Sequence, residues 1–260
     1  MKLYNNFKIK NYHKNSIILI GNFDGLHLGH QKLFRLAKKY KKKYSCKIGV
    51  MTFEPMPKMY FNKTLKNFRI SNFQQKINLL KKLNVDFVIT KKFDYVFSRT
   101  KSLIFIKKVI GKKLKPRFIF VSNNFRFGNK REGNVKELIK YESLLKYKII
   151  KPEPLLVKKK VISSSLIRKY LQNGKLDNAN ELLKRKWSIE GKVQRGRQLG
   201  KKIGFPTANI DIKDYVLARP GVYLVKVQKK KGLNFIKGIA NLGFRPTFNG
   251  KKILLEVHLF

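Results

Sequence analysis

Short, uninterrupted apolar runs punctuate the first part of the chain: Ser16 to Ile20, Ile48 to Phe53, Phe87 to Thr90 and Phe118 to Val121. Runs of this length without polar alternation predict strands buried on both faces, as in a mostly parallel sheet covered by helices. Helical periodicity fills the gaps. Ser71 with Gln74 three residues on forms a capping box ahead of Ile77, Leu80 and Leu83, so a helix is predicted there, and Asn134 with Glu137 repeats the device. A helix is predicted over Gln31 to Tyr40, a short one over Leu166 to Gln172 with Gly174 as its stop, and a last one near Asn178 to Lys184. From Ser16 to about Leu183 the pattern is therefore α/β. After Trp187 the texture changes to glycine turns and alternating strands, Ser188 to Val193, Val222 to Val227, Phe235 to Asn241 and Ile253 to Leu259, which predict a small antiparallel barrel or sandwich. The boundary falls near Arg185 and divides the chain into domains 1–184 and 185–260.

Composition changes this picture little. The chain has 260 residues, 43% of them hydrophobic, enough to bury real cores. No run of about 18 apolar residues occurs, and the amino terminus has no continuous apolar stretch, so neither membrane insertion nor export is expected. Cys46 is the one cysteine, which excludes an internal disulfide and suits a reducing cytoplasm. The formal charge of +47 keeps polyanion binding in view as a rival function. Lysines are nevertheless scattered over helices, strand edges and turns, and the longest runs (Lys41 to Lys43, Lys158 to Lys160, Lys229 to Lys231) fall between elements. That pattern reads as a solvated basic surface, with no specific nucleic-acid partner expected.

The chemistry concentrates in Gly21-Asn22-Phe23-Asp24-Gly25-Leu26-His27-Leu28-Gly29-His30, which leaves the first predicted strand and opens a helix. Glycines let backbone approach a phosphate, the helix start favours an anion, and two imidazoles three residues apart can converge on it. Such a site suits attack on the α-phosphorus of ATP, where the protein holds the reactants and neutralises charge on the phosphoryl oxygens. A histidine pair for metal or for packing is the plain alternative, but zinc would need further ligands, and only His13, Cys46 and His258 remain. Gly196 to Lys202 imitates a phosphate-binding loop with its glycines one residue too close and Lys202 where a magnesium-binding hydroxyl should stand.

Later segments add to this. Ser163-Ser164-Ser165 places hydroxyls at a helix start with Arg168 in the first turn, either a triphosphate clamp or an ordinary cap with a surface arginine. Asn123-Asn124-Phe125-Arg126-Phe127-Gly128 follows a strand, as a ligand loop or a packed turn would. In Gly204-Phe205-Pro206-Thr207-Ala208-Asn209, Pro206 stiffens a loop from which Thr207 and Asn209 offer hard oxygens to Mg²⁺, the alternative being a capped turn. Phosphorylating a hydroxyl calls for a carboxylate base. Of Glu190, Asp211, Asp214 and Glu256, only Glu256 lies mid-strand among apolar neighbours, where a carboxylate needs a reason.

With Thr52-Phe53-Glu54-Pro55-Met56-Pro57 and Asn241-Leu242-Gly243-Phe244-Arg245-Pro246-Thr247, these motifs resemble, in order and spacing, the bacterial bifunctional riboflavin kinases and FAD synthetases, from about Ile17 to the last residue. The resemblance implies a Rossmann-like nucleotidylyltransferase domain followed by a small antiparallel β-barrel. It implies ATP- and Mg²⁺-dependent transfer of AMP to FMN, giving FAD and pyrophosphate, with phosphorylation of riboflavin to FMN expected of the complete protein and little of it from these 260 residues. It also implies that His27 and His30 contact ATP phosphates with the Gly21, Asn22, Phe23, Asp24 and Gly29 loop. Asn124 would lie in the nucleotide and flavin site, Ser164, Ser165 and Arg168 would bind phosphate, Thr207 and Asn209 would hold magnesium-ATP, and Glu256 would be the kinase base. Ser122 departs from the glycine usual in the family. Members of the family continue past the equivalent of Phe260, so an incomplete barrel is expected, with Ile253 to Leu259 as an exposed apolar edge. The alternatives are a different acceptor for the same His-x-Gly-His chemistry, and a basic RNA-associated protein that keeps only the fold. Oligomeric state leaves no mark in the sequence.

Overall fold

The structure is a computed structural model and describes residues 1–65, 67–194, 205–229, 234–247 and 250–260. The Gly196 to Lys202 segment and Gly204 lie outside the described residues. The chain forms two compact units, Met1–Leu65 with Phe73–Ser163, and Lys66–Asn72 with Ser164–Phe260.

The first unit is built on a six-stranded, all-parallel sheet of β1 (Lys2–Tyr4), β2 (Ile17–Ile20), β3 (Ile48–Glu54), β4 (Phe87–Lys92), β5 (Phe118–Phe120) and β6 (Lys148–Ile150). Their spatial order is β1-β4-β3-β2-β5-β6. Alternation along each strand feeds two cores. Ile18, Ile20, Met51, Phe87, Ile89 and Ile119 face one side with Phe105, Ile106 and Leu138. Ile17, Leu19, Ile48, Val50, Val88 and Phe120 face the other with Phe34, Ala37, Ile77 and Leu80. Burial on both faces is why these strands read as unbroken apolar runs. Close packing also explains Gly49, where a Cβ would fall 2.2 Å from Cζ of Phe87. Helix α1 (Leu28–Tyr44) follows β2, and α2 (Phe73–Lys82) precedes β4. Helix α3 (Val135–Lys140) starts where expected, with the Asn134 side chain accepting from the Glu137 amide at 3.1 Å. The Glu137 carboxylate does not reach back to complete a box; it accepts from Ser102 Oγ at 2.8 Å.

The strand order reverses between β2 and β5, with β3 and β4 on one side of β2 and β6 beyond β5. In open parallel sheets the crevice at the carboxyl ends of strands beside such a reversal is the usual ligand site. The loops leaving β2 and β5 there are Gly21 to His27 and Val121 to Phe125.

In the second unit, α4 (Ser164–Gln172) and α5 (Leu176–Leu183) are joined through Gly174 at φ +74°. Trp187 is tied in place by its indole N–H to the Ile70 carbonyl at 2.9 Å and its amide to Asn180 Oδ1 at 2.6 Å. A five-stranded antiparallel sheet follows: β7 (Val193–Gln194), β8 (Thr207–Ile210), β9 (Gly221–Val227), β10 (Ile236–Thr247) and β11 (Gly250–Leu259), in the order β7-β8-β11-β10-β9. One face covers a small core of Ile212, Tyr215, Ala218 and Leu242 with Ile210, Tyr223, Ile253 and Leu255.

Two expectations are corrected here. Ile253 to Leu259 is not an edge: β11 is central, paired to β8 and β10. Thr207 to Asn209 is not a loop: it is strand β8, because strand identity in a short polar segment comes from pairing with β11 and not from propensity. Of the predicted strand Ser188 to Val193, only Val193 is paired, at the start of β7.

Candidate active sites

The loop after β2 is coiled tightly. Phe23, Gly25 and Leu26 all take positive φ (49°, 77° and 41°), an unfavourable conformation for the two non-glycine residues. Burial holds them in it, with Phe23 and Leu26 each 2% exposed. The Phe23 side chain packs edge-on to His30, with 5.2 Å between ring centroids, and tilted against Phe34 at 5.4 Å, so the loop offers a ligand only the backbone of Phe23. Asp24 is buried at the start of a single 3₁₀ turn, Asp24–Leu26. Gly21 donates its amide to the Met51 carbonyl at 3.0 Å, continuing the sheet contact one residue past β2.

His27 occupies the N-cap position of α1 with an extended backbone (φ −68°, ψ 172°), and its side chain makes no capping bond. The ring is thereby left to stack on His30, centroids 3.7 Å apart and planes 22° off parallel. Gly29 makes this stacking possible: a Cβ there would stand 3.2 Å from Cε1 and Nδ1 of His27. His30 Nδ1 is buried without a hydrogen-bond partner among the described residues. Burial, then the neighbouring His27 and the Lys76 ammonium, hold the His30 imidazole well below the usual histidine range. The pair is thus a ring stack at a helix start in which His30 is held largely uncharged, where an anion is favoured.

Lys76 is the residue that sequence reading missed. It sits on α2 at 2% exposure, with Nζ 3.3 Å from the Asn22 carbonyl and 3.3 Å from Thr52 Oγ1. Its spacing on an amphipathic helix gave no sign of this in a chain with 61 basic residues.

Asn124, on the loop after β5, is exposed, and its Oδ1 accepts from Ser122 Oγ at 2.9 Å. Ser122, the departure from the family's glycine, therefore orients the very amide it precedes. Ser164, Ser165 and Arg168 lie in the first turns of α4 in the second unit. Arg168 donates Nε–H to the Phe68 carbonyl at 2.7 Å and lays its guanidinium 3.7 Å over the Phe68 ring. Both contacts fix the side chain.

The second unit brings its predicted residues into register. Asn209 of β8 stands opposite Glu256 of β11, and Glu256 stands opposite Asn241 of β10. Cross-strand partners share a face, so the three form one polar row across three strands. Thr207 is opposite His258 on the same face, and His258 Nδ1–H donates to the Pro206 carbonyl at 2.8 Å. Asn209 Oδ1 is buried with no partner among the described residues. An orphaned amide oxygen beside a hydroxyl and a carboxylate is a donor set suited to a hard cation such as Mg²⁺, which takes few protein ligands and completes its shell with water and substrate phosphates.

Two family models match the chain in succession, FAD synthetase over residues 9–166 and riboflavin kinase over residues 183–260. The chain belongs to the bifunctional riboflavin kinase/FMN adenylyltransferase family. Relatives bearing that name include those of Buchnera aphidicola subsp. Schizaphis graminum (40% identical, covering 97% of this chain and 81% of the relative), and Haemophilus influenzae (39%, covering 94% and 79%). That of Escherichia coli strain K12 is 35% identical, covering 94% of this chain and 77% of the relative. Among solved structures, one described as a macrolide-efflux protein from Streptococcus pneumoniae superimposes with a TM-score of 0.82 at 28% identity, covering 99% of this chain and 84% of that one. Among the described residues no helix is long and apolar enough to cross a membrane. The boundary between the two matched families falls within the segment of α4 and α5 that links them.

Proposed function

We propose that this chain transfers AMP from ATP to FMN, giving FAD and pyrophosphate, through the His27–His30 site, and phosphorylates riboflavin through the Asn209–Glu256 row. The observation that carries the first activity is the stacked, partly buried histidine pair at the start of α1, on the loop leaving the strand where the sheet order reverses. In the adenylyl transfer, a phosphate oxygen of FMN bonds to the α-phosphorus as the bond to the β-phosphate oxygen breaks and pyrophosphate leaves. No proton need be removed from an ionised phosphate, so the protein has to position the two reactants and stabilise charge on the α-phosphoryl oxygens. His27 and His30 supply hydrogen bonds there, the Gly21 to Asp24 and Gly29 backbone allows close approach, and Asn124, held by Ser122, contributes to nucleotide and flavin recognition. Ser164, Ser165 and Arg168 remain in the proposal as phosphate ligands on the strength of their motif.

In the kinase reaction, Glu256 takes the proton of the ribityl hydroxyl as its oxygen bonds to the γ-phosphorus and ADP leaves. Thr207 and Asn209 hold Mg²⁺, which would neutralise the ATP phosphates. The adenylylating domain spans 1–184 and the kinase domain 185–260 in this reading, and a reducing cytoplasm suits the single buried thiol of Cys46.

The test is to incubate the chain with ATP, Mg²⁺ and FMN, and to separate the flavins by chromatography. FAD should form, and His30→Ala should lower its rate by about a hundredfold while keeping the fold, as for loss of one charge-stabilising donor. Unchanged turnover in His30→Ala and His27→Ala would remove these residues from the mechanism.

A further inference from the structure

Among the described residues, Lys76 is the only lysine that is buried. Burying an ammonium is costly unless its surroundings return the lost hydration, and lysine is almost never found fully inside. Here the return comes from the chain ends of two neighbouring strands. The Asn22 carbonyl belongs to the loop leaving β2, and Thr52, itself 0% exposed, sits two residues before the end of β3. Thr52 Oγ1 also lies 3.4 Å from the Asn22 carbonyl, so ammonium, hydroxyl and carbonyl close a triangle. That carbonyl is five residues before His27, on the strained loop that delivers the histidine pair. The Phe73 ring, 5.9 Å from Nζ, adds a weak aromatic contact.

We propose that Lys76 is a positioning residue for adenylyl transfer, fixing the Asn22 carbonyl and hence the histidine loop, and setting a positive charge beside the His27–His30 stack. The inference rests on the adenylyltransferase reading but adds a residue and a role to it. Its chemical sense is selection for a polyanion. The titratable and charged groups acting on His30 are His27 from its own turn and Lys76 from α2, both of which oppose a second positive charge there. Asp24, buried on the turn before α1, is the nearest acid along the chain. His30 is therefore held toward its neutral form. A triphosphate brings negative charge on which the lysine and the rings can act together, while a neutral ligand gains nothing from the arrangement.

The experiment uses the full chain with Lys76→Met, which keeps length and removes charge, and Lys76→Arg, which keeps charge. Each variant is assayed for FAD formation at saturating ATP and Mg²⁺ over a range of FMN concentrations. Separately and without nucleotide, the titration of the His27 and His30 side chains is followed by NMR on histidine-labelled protein. The expected result for K76M is a fall in kcat of about a hundredfold with KM for FMN within about threefold, and histidine titration moved to higher pH. K76R should retain at least about a tenth of the parent kcat and the parent titration. A K76M rate within threefold of the parent, a loss of rate with unmoved titration, or K76R as slow as K76M would each overturn the proposal. Should K76M fail to fold, Thr52→Val, which keeps the cation and removes one named partner, takes its place: a fall in kcat of about fivefold is expected, and an unchanged rate refutes the role. If the adenylyltransferase reading itself is wrong, the parent chain makes no FAD, and the NMR titration still reports on Lys76.

Discussion

An alanine at position 29 would place its Cβ 3.2 Å from both Cε1 and Nδ1 of His27 and 3.3 Å from the carbonyl oxygen of Ile162. Optimal carbon contacts lie at about 3.5–4.0 Å, so each approach is short by roughly 0.2–0.8 Å. The Ile162 oxygen is backbone and cannot yield cheaply. The ring of His27 must therefore move, and it is stacked on the His30 ring at 3.7 Å between centroids. Both imidazoles would shift together by a few tenths of an ångström. If a misplacement of about 1 Å costs on the order of a hundredfold in rate, a shift of half that size costs about tenfold, or about 1.4 kcal/mol of transition-state stabilisation. Gly29 is helical and has no positive φ, so alanine loses nothing in backbone conformation and gains up to about 1 kcal/mol of helix propensity. Gly29→Ala should hence show a kcat for FAD formation lowered about tenfold, with a melting temperature equal to or slightly above that of the parent. Steady-state rates and thermal unfolding on the same preparation check both halves. A rate within twofold of the parent would refute the reasoning, since it would mean that the stacked geometry of the pair is not what catalysis uses.

Glu256→Gln, which preserves shape and cross-strand pairing, should lower riboflavin phosphorylation by about a hundredfold or more while FAD formation from supplied FMN stays at the parent rate, as read by separating the flavins. Stability should fall on mild acidification. Burial holds His13 and His30 below the ordinary histidine range in the folded chain, so the unfolded chain takes up protons first as pH drops below about 6.5, and the loss continues until the lowered folded-state values are passed. Denaturant midpoints measured between pH 7.5 and 5 should show this decline. It should be shallower in His13→Phe, which keeps the stack on Phe87 but removes one titrating group.

The parallel sheet was legible because each central strand is buried on both faces and so appears as an apolar run. Strands β1 and β6 were not predicted; they are the outermost strands of that sheet, and Lys2–Tyr4 and Lys148–Ile150 carry too few apolar residues to stand out. The His-x-Gly-His loop was legible for a different reason. Its glycines and histidines have few other uses at a strand-to-helix turn, and the sequence dictates the local backbone that stacks them. The Thr207 to Asn209 segment shows where such reading stops. Its residue types announced oxygen ligands, but nothing in them announced a strand. The alignment of Asn209 with Glu256 depends on a register formed with residues 47 positions away in sequence, and a slip by one residue would turn every one of these side chains to the opposite face.

Lys76 was hidden by its own chemical class. On a helix whose apolar stripe is Ile77 and Leu80, a lysine one position before the stripe reads as solvated, like the many others in a chain of charge +47. What distinguishes it is the neighbour it meets: α2 passes the carboxyl ends of β2 and β3, where a loop carbonyl and a strand hydroxyl are left over once the ladder has ended. Leftover polar groups at that edge are a general consequence of a sheet ending in a crevice. Here both are met by a cation. A basic composition therefore hides catalytic charge most effectively in the sequence, while burial separates the two kinds of lysine at once in the structure. The surface lysines can vary with little consequence, but a buried ammonium cannot be exchanged without stranding its partners.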